Sequence, residues 1–195
     1  MHSRNQLLIA LMAMLLAPAA HAHVEGGQIN SLMAGLLHPI SGADHVVAMV
    51  AVGLWGAVLG APALWVLPVA FPMVMACGAM LGLWGLLLPG VEIGIALSGV
   101  VLGLMVLLER RPPLWLAAVL VGVFALFHGY AHGSELPTGA NAISYSMAFV
   151  ISTGVLHLVG ILLGELHRLP IGRRCVQAAG AGVFAVGLFF LIRAL

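Results

Sequence analysis

The chain has 195 residues, 63% hydrophobic and 7% charged, with a formal net charge of +1. A soluble domain cannot bury so much apolar surface, so the chain reads as an all-α integral membrane protein set in a lipid bilayer. Its basic residues are seven scattered arginines, which leaves no footprint for nucleic acid, and the lack of a Walker A pattern argues against a built-in ATPase.

In chain order, residues 1–22 read as a cleavable signal peptide. Arg4 is the positive end, Leu7 to Leu16 the apolar stretch, and Ala20-His21-Ala22 the small-x-small cleavage site. Cleavage would leave His23 as the new N-terminus, where amine and imidazole together can collect a metal ion at the entrance. Residues 23–195 then form one transmembrane domain of six apolar spans, at approximately 31–59, 63–88, 91–108, 113–132, 142–164 and 173–193. Gly35, Pro39 and Gly42 predict that the first span is kinked or broken. With the mature N-terminus outside, the connections at 109–113 and 165–174 face the cytoplasm and carry five arginines, Arg110, Arg111, Arg168, Arg173 and Arg174. Arg193 runs against that trend. The GxxxG pairs Gly56/Gly60, Gly78/Gly82, Gly99/Gly103 and Gly160/Gly164 read as close helix packing. Cys77 and Cys175 read as packed free thiols.

Two polar clusters interrupt the apolar spans. Ionisable groups at membrane depth are costly, about +2.5–3.5 kcal/mol for Asp on insertion scales, and are kept for a partner or a task. The first cluster holds His38, Asp44 and His45, with Met49 one turn on. The second holds His128, His132 and Glu135, whose i, i+4, i+7 spacing places them on one helical face. Gly129 and Gly133 leave that face open. The topology brings both clusters to the outer side. Neutral imidazole and carboxylate without thiolate suit a divalent transition metal such as Ni, Co, Zn or Fe(II). Ser41, Ser134 and Tyr130 are candidates for fixing the imidazole tautomers. His157, deeper in the fifth span, reads as a later station or an interhelical hydrogen bond. Glu92 reads as a carboxylate at a helix N-terminus. Glu109, Glu165 and His167 read as solvated groups near arginines.

At His38-x5-Asp44-His45, followed by Ala48-Met49, and at Phe127-His128-Gly129-x-Ala131-x-Gly133-x-Glu135, the chain resembles the HupE/UreJ family of nickel/cobalt permeases. The resemblance covers nearly the whole chain. It implies uptake of Ni²⁺, sometimes Co²⁺, across a bacterial inner membrane for hydrogenase or urease maturation, with nickel chaperones as downstream partners. It also implies metal handling by His38, Asp44, His45, His128 and Glu135; the role of His132 rests on helix spacing. The expected activity is secondary transport from periplasm to cytoplasm, by a protein that is no enzyme and has no prosthetic group. The alternatives are an intramembrane zinc hydrolase, with three His and an acid holding Zn²⁺, and a non-transporting metal sensor or partner subunit. The oligomeric state, a homo-oligomer included, stays open.

Overall fold

The computed structural model describes residues 27–195; the signal segment and His23 lie outside them. The described residues form seven α-helices and no strand: α1 Gly27–Ser41, α2 Ala43–Leu59, α3 Ala63–Leu83, α4 Val91–Leu107, α5 Leu114–Ser134, α6 Ala142–Gly164 and α7 Pro170–Ala194, with a 3₁₀ turn at Glu165–Arg168. Among the described residues, four helices are each long and apolar enough to cross a membrane: α3, α5, α6 with its 3₁₀ extension, and α7. The pair α1 and α2 passes that test jointly but is bent by 79°, and α4 is a shorter apolar helix of 17 residues. The six expected spans are therefore four full-length helices, one broken pair and one short helix.

The break has a local cause. Pro39 removes a backbone donor inside α1, and Gly42 takes an extended conformation (φ −103°, ψ 122°) before α2 begins. Asp44 then occupies the first turn of α2, where the helix dipole favours a carboxylate. Two further boundaries differ from expectation. Helix α3 ends at Leu83, short of 88, and α7 starts at Pro170, a residue preorganised for a first helical turn. The segment expected as a long loop after Glu165 is largely helical.

Helix α2 is the centre of the bundle. Its residues from Ala48 to Val58 are buried save for half-buried Val50, as expected of a helix apolar all round. Met49 is part of this core. Around α2, α3 packs on α5, α4 on α7, and α6 on both α1 and α2. Glycines set these distances: Gly78 and Gly82 meet the α5 backbone, Gly99 and Gly103 face Gly187 and Gly180 of α7, and Gly160 and Gly164 meet α2. The pair Gly56/Gly60 is the exception. Gly60 has φ +79° and open space around it, so it caps α2 and joins no helix interface. Large apolar side chains such as Trp65, Met73, Trp115, Ile143 and Leu162 point outward, as lipid contact requires. Cys77 and Cys175 are free but exposed on this outer surface; they do not pack inside.

At the end that carries Arg110 and Arg173, the polar groups near solvent are also paired with one another. Trp55 Nε1 donates to the Arg110 carbonyl at 2.9 Å. Arg173 binds the Glu109 carboxylate at 2.7 Å, Arg168 binds Glu165 at 2.9 Å, and His167 Nδ1 lies 2.8 Å from the Gly164 carbonyl. Glu109 itself has φ 48°, the left-handed residue of a helix-ending motif in which the Arg110 N–H returns to the Met105 carbonyl.

Candidate metal site

The site is assembled where α1, α2, α5 and α6 meet, at the end opposite that arginine cluster. On α1, Ser31, Gly35 and His38 share one face, and this face turns toward α6 while Leu32, Met33, Leu37 and Ile40 point outward. Gly35 lets α1 approach the Tyr145 backbone closely, and the Asn141 N–H donates to Ser31 Oγ at 2.9 Å. These contacts hold His38 over the end of α5. The break at Gly42 then redirects the chain so that His45 approaches α5 from α2.

The result is a chain of imidazoles. The ring of His38 lies 4.8 Å from that of His132, His132 lies 4.5 Å from His45, and His45 lies 4.8 Å from His128. Glu135, the residue that caps α5, reaches His38 Nε2 at 3.5 Å. The two ends of this chain differ in exposure: the side chains of Glu135 and His38 are 57% and 27% exposed and that of His45 13%, while His132 is 5% and His128 0% exposed. His128 and His132 do share one face of α5, as their spacing predicts. Gly129 and Gly133, each next to one of them in the chain, do not, however, leave that face open. The backbone of α3 at Met75 and Ala79 fills the space.

Two groupings differ in readiness. His38, His132 and Glu135 each offer one ligand atom, and these atoms lie within 4.8 Å of one another. A metal ion with bonds of about 2.1 Å holds neighbouring ligands about 3.0–3.4 Å apart, so modest side-chain closure would complete the trio. A cavity of about 90 Å³ beside it is lined by Met75, Ala79, His132, Tyr145 and Phe149, with the Phe149 ring 4.3 Å from His132. The deeper grouping is His45 and His128. Asp44 Oδ1 lies 3.1 Å from His45 Nδ1, so a proton on Nδ1 is held by the carboxylate and Nε2 keeps its lone pair. Among the described residues, His45 Nε2, His128 Nδ1 and both nitrogens of His132 are buried without a hydrogen-bond partner. Buried nitrogens are ordinarily satisfied, so four such atoms together call for an explanation.

Beyond His128 stands Phe71, 5.7 Å from His128 and 5.4 Å from His157 by ring centroids. His157 is buried against this ring and the backbone of Pro68, whose carbonyl has no intrahelical donor because Pro72 lacks an N–H. Thus His38, Asp44, His45, His128, His132 and Glu135 come together, and His157 stands apart behind an aromatic ring. Asp44 also lines a second cavity, of about 130 Å³, with Glu92 and Arg193, so Arg193 lies among carboxylates at this end. The hydroxyls expected to serve the imidazoles do not. Ser41 Oγ donates to the His38 carbonyl at 2.7 Å and Ser134 Oγ to the Ala131 carbonyl at 2.8 Å. Tyr130 makes no contact to an imidazole among the described residues. Sequence reasoning missed Ser98 of α4, whose Oγ lies 2.9 Å from His128 Nε2; a lone serine deep in an apolar span was the available signal.

Several long apolar helices, outward-facing hydrophobic side chains and polar residues gathered inside one end fit a multi-pass membrane protein. Within that class the assignment is specific. The profile of the family described as HupE / UreJ protein matches residues 10–190, and the chain belongs to that family. It is 45% identical over 188 residues to Protein HupE of Rhizobium leguminosarum bv. viciae, an alignment that covers 96% of this chain and 98% of that protein. No solved structure matches the chain.

Proposed function

We propose that this protein is an ATP-independent permease that carries Ni²⁺, with Co²⁺ as a second cargo, from the periplasm to the cytoplasm for the maturation of metalloenzymes such as hydrogenase or urease. The observation that carries the reading is the imidazole chain from half-exposed Glu135 and His38 to fully buried His128, with buried nitrogens left free. Hydrated metal meets Glu135, His38 and His132 first. It exchanges water for these ligands and moves on to His45 and His128, where Asp44 keeps His45 oriented. Passage to His157 requires the Phe71 ring to swing aside. Support for the direction comes from the arginines at the far end, the pattern expected of a cytoplasmic face. In this reading residues 1–22 are removed, His23 collects metal outside, and the broken pair α1–α2 and the short α4 each count as one of six crossings of the inner membrane. An inside-negative potential supplies about 2.3 kcal/mol per charge per 100 mV, so about 4.6 kcal/mol for a divalent ion. The zinc hydrolase gains little support: Asp44 is engaged with His45, and Glu135 sits at the mouth, away from the deepest imidazole.

The test is uptake of Ni²⁺ and Co²⁺ into proteoliposomes that hold this protein alone, with and without an inside-negative potential. Uptake that follows the potential, and that falls in His38→Ala and His132→Ala, is the expected result. Tight binding without flux would refute the permease.

A further inference from the structure

Ser98 lies on α4, fully buried, where that helix meets the imidazole chain at His128. Its hydroxyl has a single hydrogen, and that hydrogen is engaged: Ser98 Oγ donates to the Ile95 carbonyl at 2.6 Å. With its hydrogen on the Ile95 carbonyl, the nearer of its two partners, Ser98 Oγ accepts from His128 Nε2, 2.9 Å away. A neutral imidazole that carries its proton on Nε2 has a lone pair on Nδ1. His128 Nδ1 is one of the buried atoms that have no hydrogen-bond partner among the described residues, and the ring stands perpendicular to that of His45 at 4.8 Å. On the second ring the Asp44 carboxylate holds the proton on Nδ1 and frees Nε2. Two unlike partners, a carboxylate and a hydroxyl whose own proton is committed elsewhere, thus prepare one free lone pair on each of two adjacent imidazoles.

We propose that Ser98 is a positioning residue that locks His128 in the Nε2–H tautomer and presents its Nδ1 lone pair to the transported metal ion. The proposal rests on the permease reading for the identity of the ion, but the tautomer is a property of the metal-free protein. Ser98 does not touch the ion. It acts through His128, in the manner of the outer partners that orient metal-bound histidines, whose loss typically lowers metal affinity about 10- to 100-fold.

The experiment uses the full chain in lipid nanodiscs with ¹⁵N-labelled histidine, the His128 signals being assigned by their loss in His128→Gln. In the metal-free wild type, His128 is expected protonated at Nε2 and bare at Nδ1, and Co²⁺ addition is expected to perturb the Nδ1 signal. A proton on Nδ1 overturns the proposal, whatever any variant does. Ser98→Ala is expected to bind Co²⁺ about 10- to 100-fold more weakly while still unfolding cooperatively from a folded state, and Ser98→Thr, which keeps the hydroxyl, to recover most of the affinity. Unchanged Co²⁺ affinity in a folded Ser98→Ala overturns the proposal. A wild type that binds no Co²⁺ but keeps the Nε2–H tautomer refutes the permease reading, and with it the presentation to metal, while the role of Ser98 in the tautomer stands.

Discussion

The distance between α3 and α5 sets the position of the two buried imidazoles on α5, and Gly129 between them makes that dependence measurable. A methyl group at Gly129 would lie 2.7 Å from the carbonyl carbon of Met75 and 2.9 Å from its Cα, with the carbonyl oxygen closer still. Non-bonded carbons settle at about 3.5–4.0 Å, so the two helices must part by roughly 1 Å. The obstacle is backbone, which has no rotamer to give. Overpacking of this kind costs about 1–3 kcal/mol, against a gain of about 1 kcal/mol from replacing a helical glycine by alanine. Gly154 on α6 is the control, because nothing lies within 4 Å of a methyl group placed there. Gly129→Ala is therefore expected to be less stable than Gly154→Ala by about 1–3 kcal/mol, or several-fold to a hundredfold in the folded-to-unfolded ratio. Reversible unfolding of both variants in mixed detergent micelles measures this difference. Metal uptake should fall in Gly129→Ala alone, since His128 and His132 move with α5. Equal stability of the two variants would refute the account of how α5 is held.

Three further outcomes are expected. Nickel should raise the unfolding midpoint by ligand linkage, about 2.7 kcal/mol at a hundredfold excess over the dissociation constant; chelator should reverse the shift, and His132→Ala should abolish it. An unshifted wild type would count against the site. Trp55→Phe removes the indole donor to the Arg110 carbonyl and should cost about 1 kcal/mol in the same unfolding assay, with metal binding intact. At the arginine end, the hydrogen bond from Arg173 holds the Glu109 carboxyl below the usual carboxylate range. A depressed folded-state value means that this contribution is fully present above the unfolded value of about 4.3 and is lost as pH falls through the folded one. The stability difference between wild type and Glu109→Gln should therefore be flat above about pH 5 and shrink below pH 4; a difference independent of pH would remove the pair from the account.

Much of this protein is written locally in its sequence. Hydropathy alone identifies the helices, because each lipid-facing span must satisfy its own backbone and present apolar side chains outward. Pro39 and Gly42 announce the break before α2, since the missing donor and the missing side chain act within one turn. The spacing of His128 and His132 puts them on one face by helix geometry alone. Other features depended on how helices dock, which no local pattern contains. Gly129 and Gly133 looked like open surface, yet α3 occupies that space. Ser41 and Ser134 are near the histidines in sequence, yet their hydroxyls turn back to the carbonyls three residues earlier, the nearest acceptors on their own helix. The partner of His128 comes from Ser98, thirty residues away on another helix, and it matters because Ile95 already holds its proton. Residue type and spacing determined which groups are costly enough in a membrane to require a purpose. The docking of the helices decided which of them meet, which nitrogen of each imidazole stays free, and that His157 is cut off behind Phe71, because these outcomes depend on distances of a few ångströms between segments far apart in the chain.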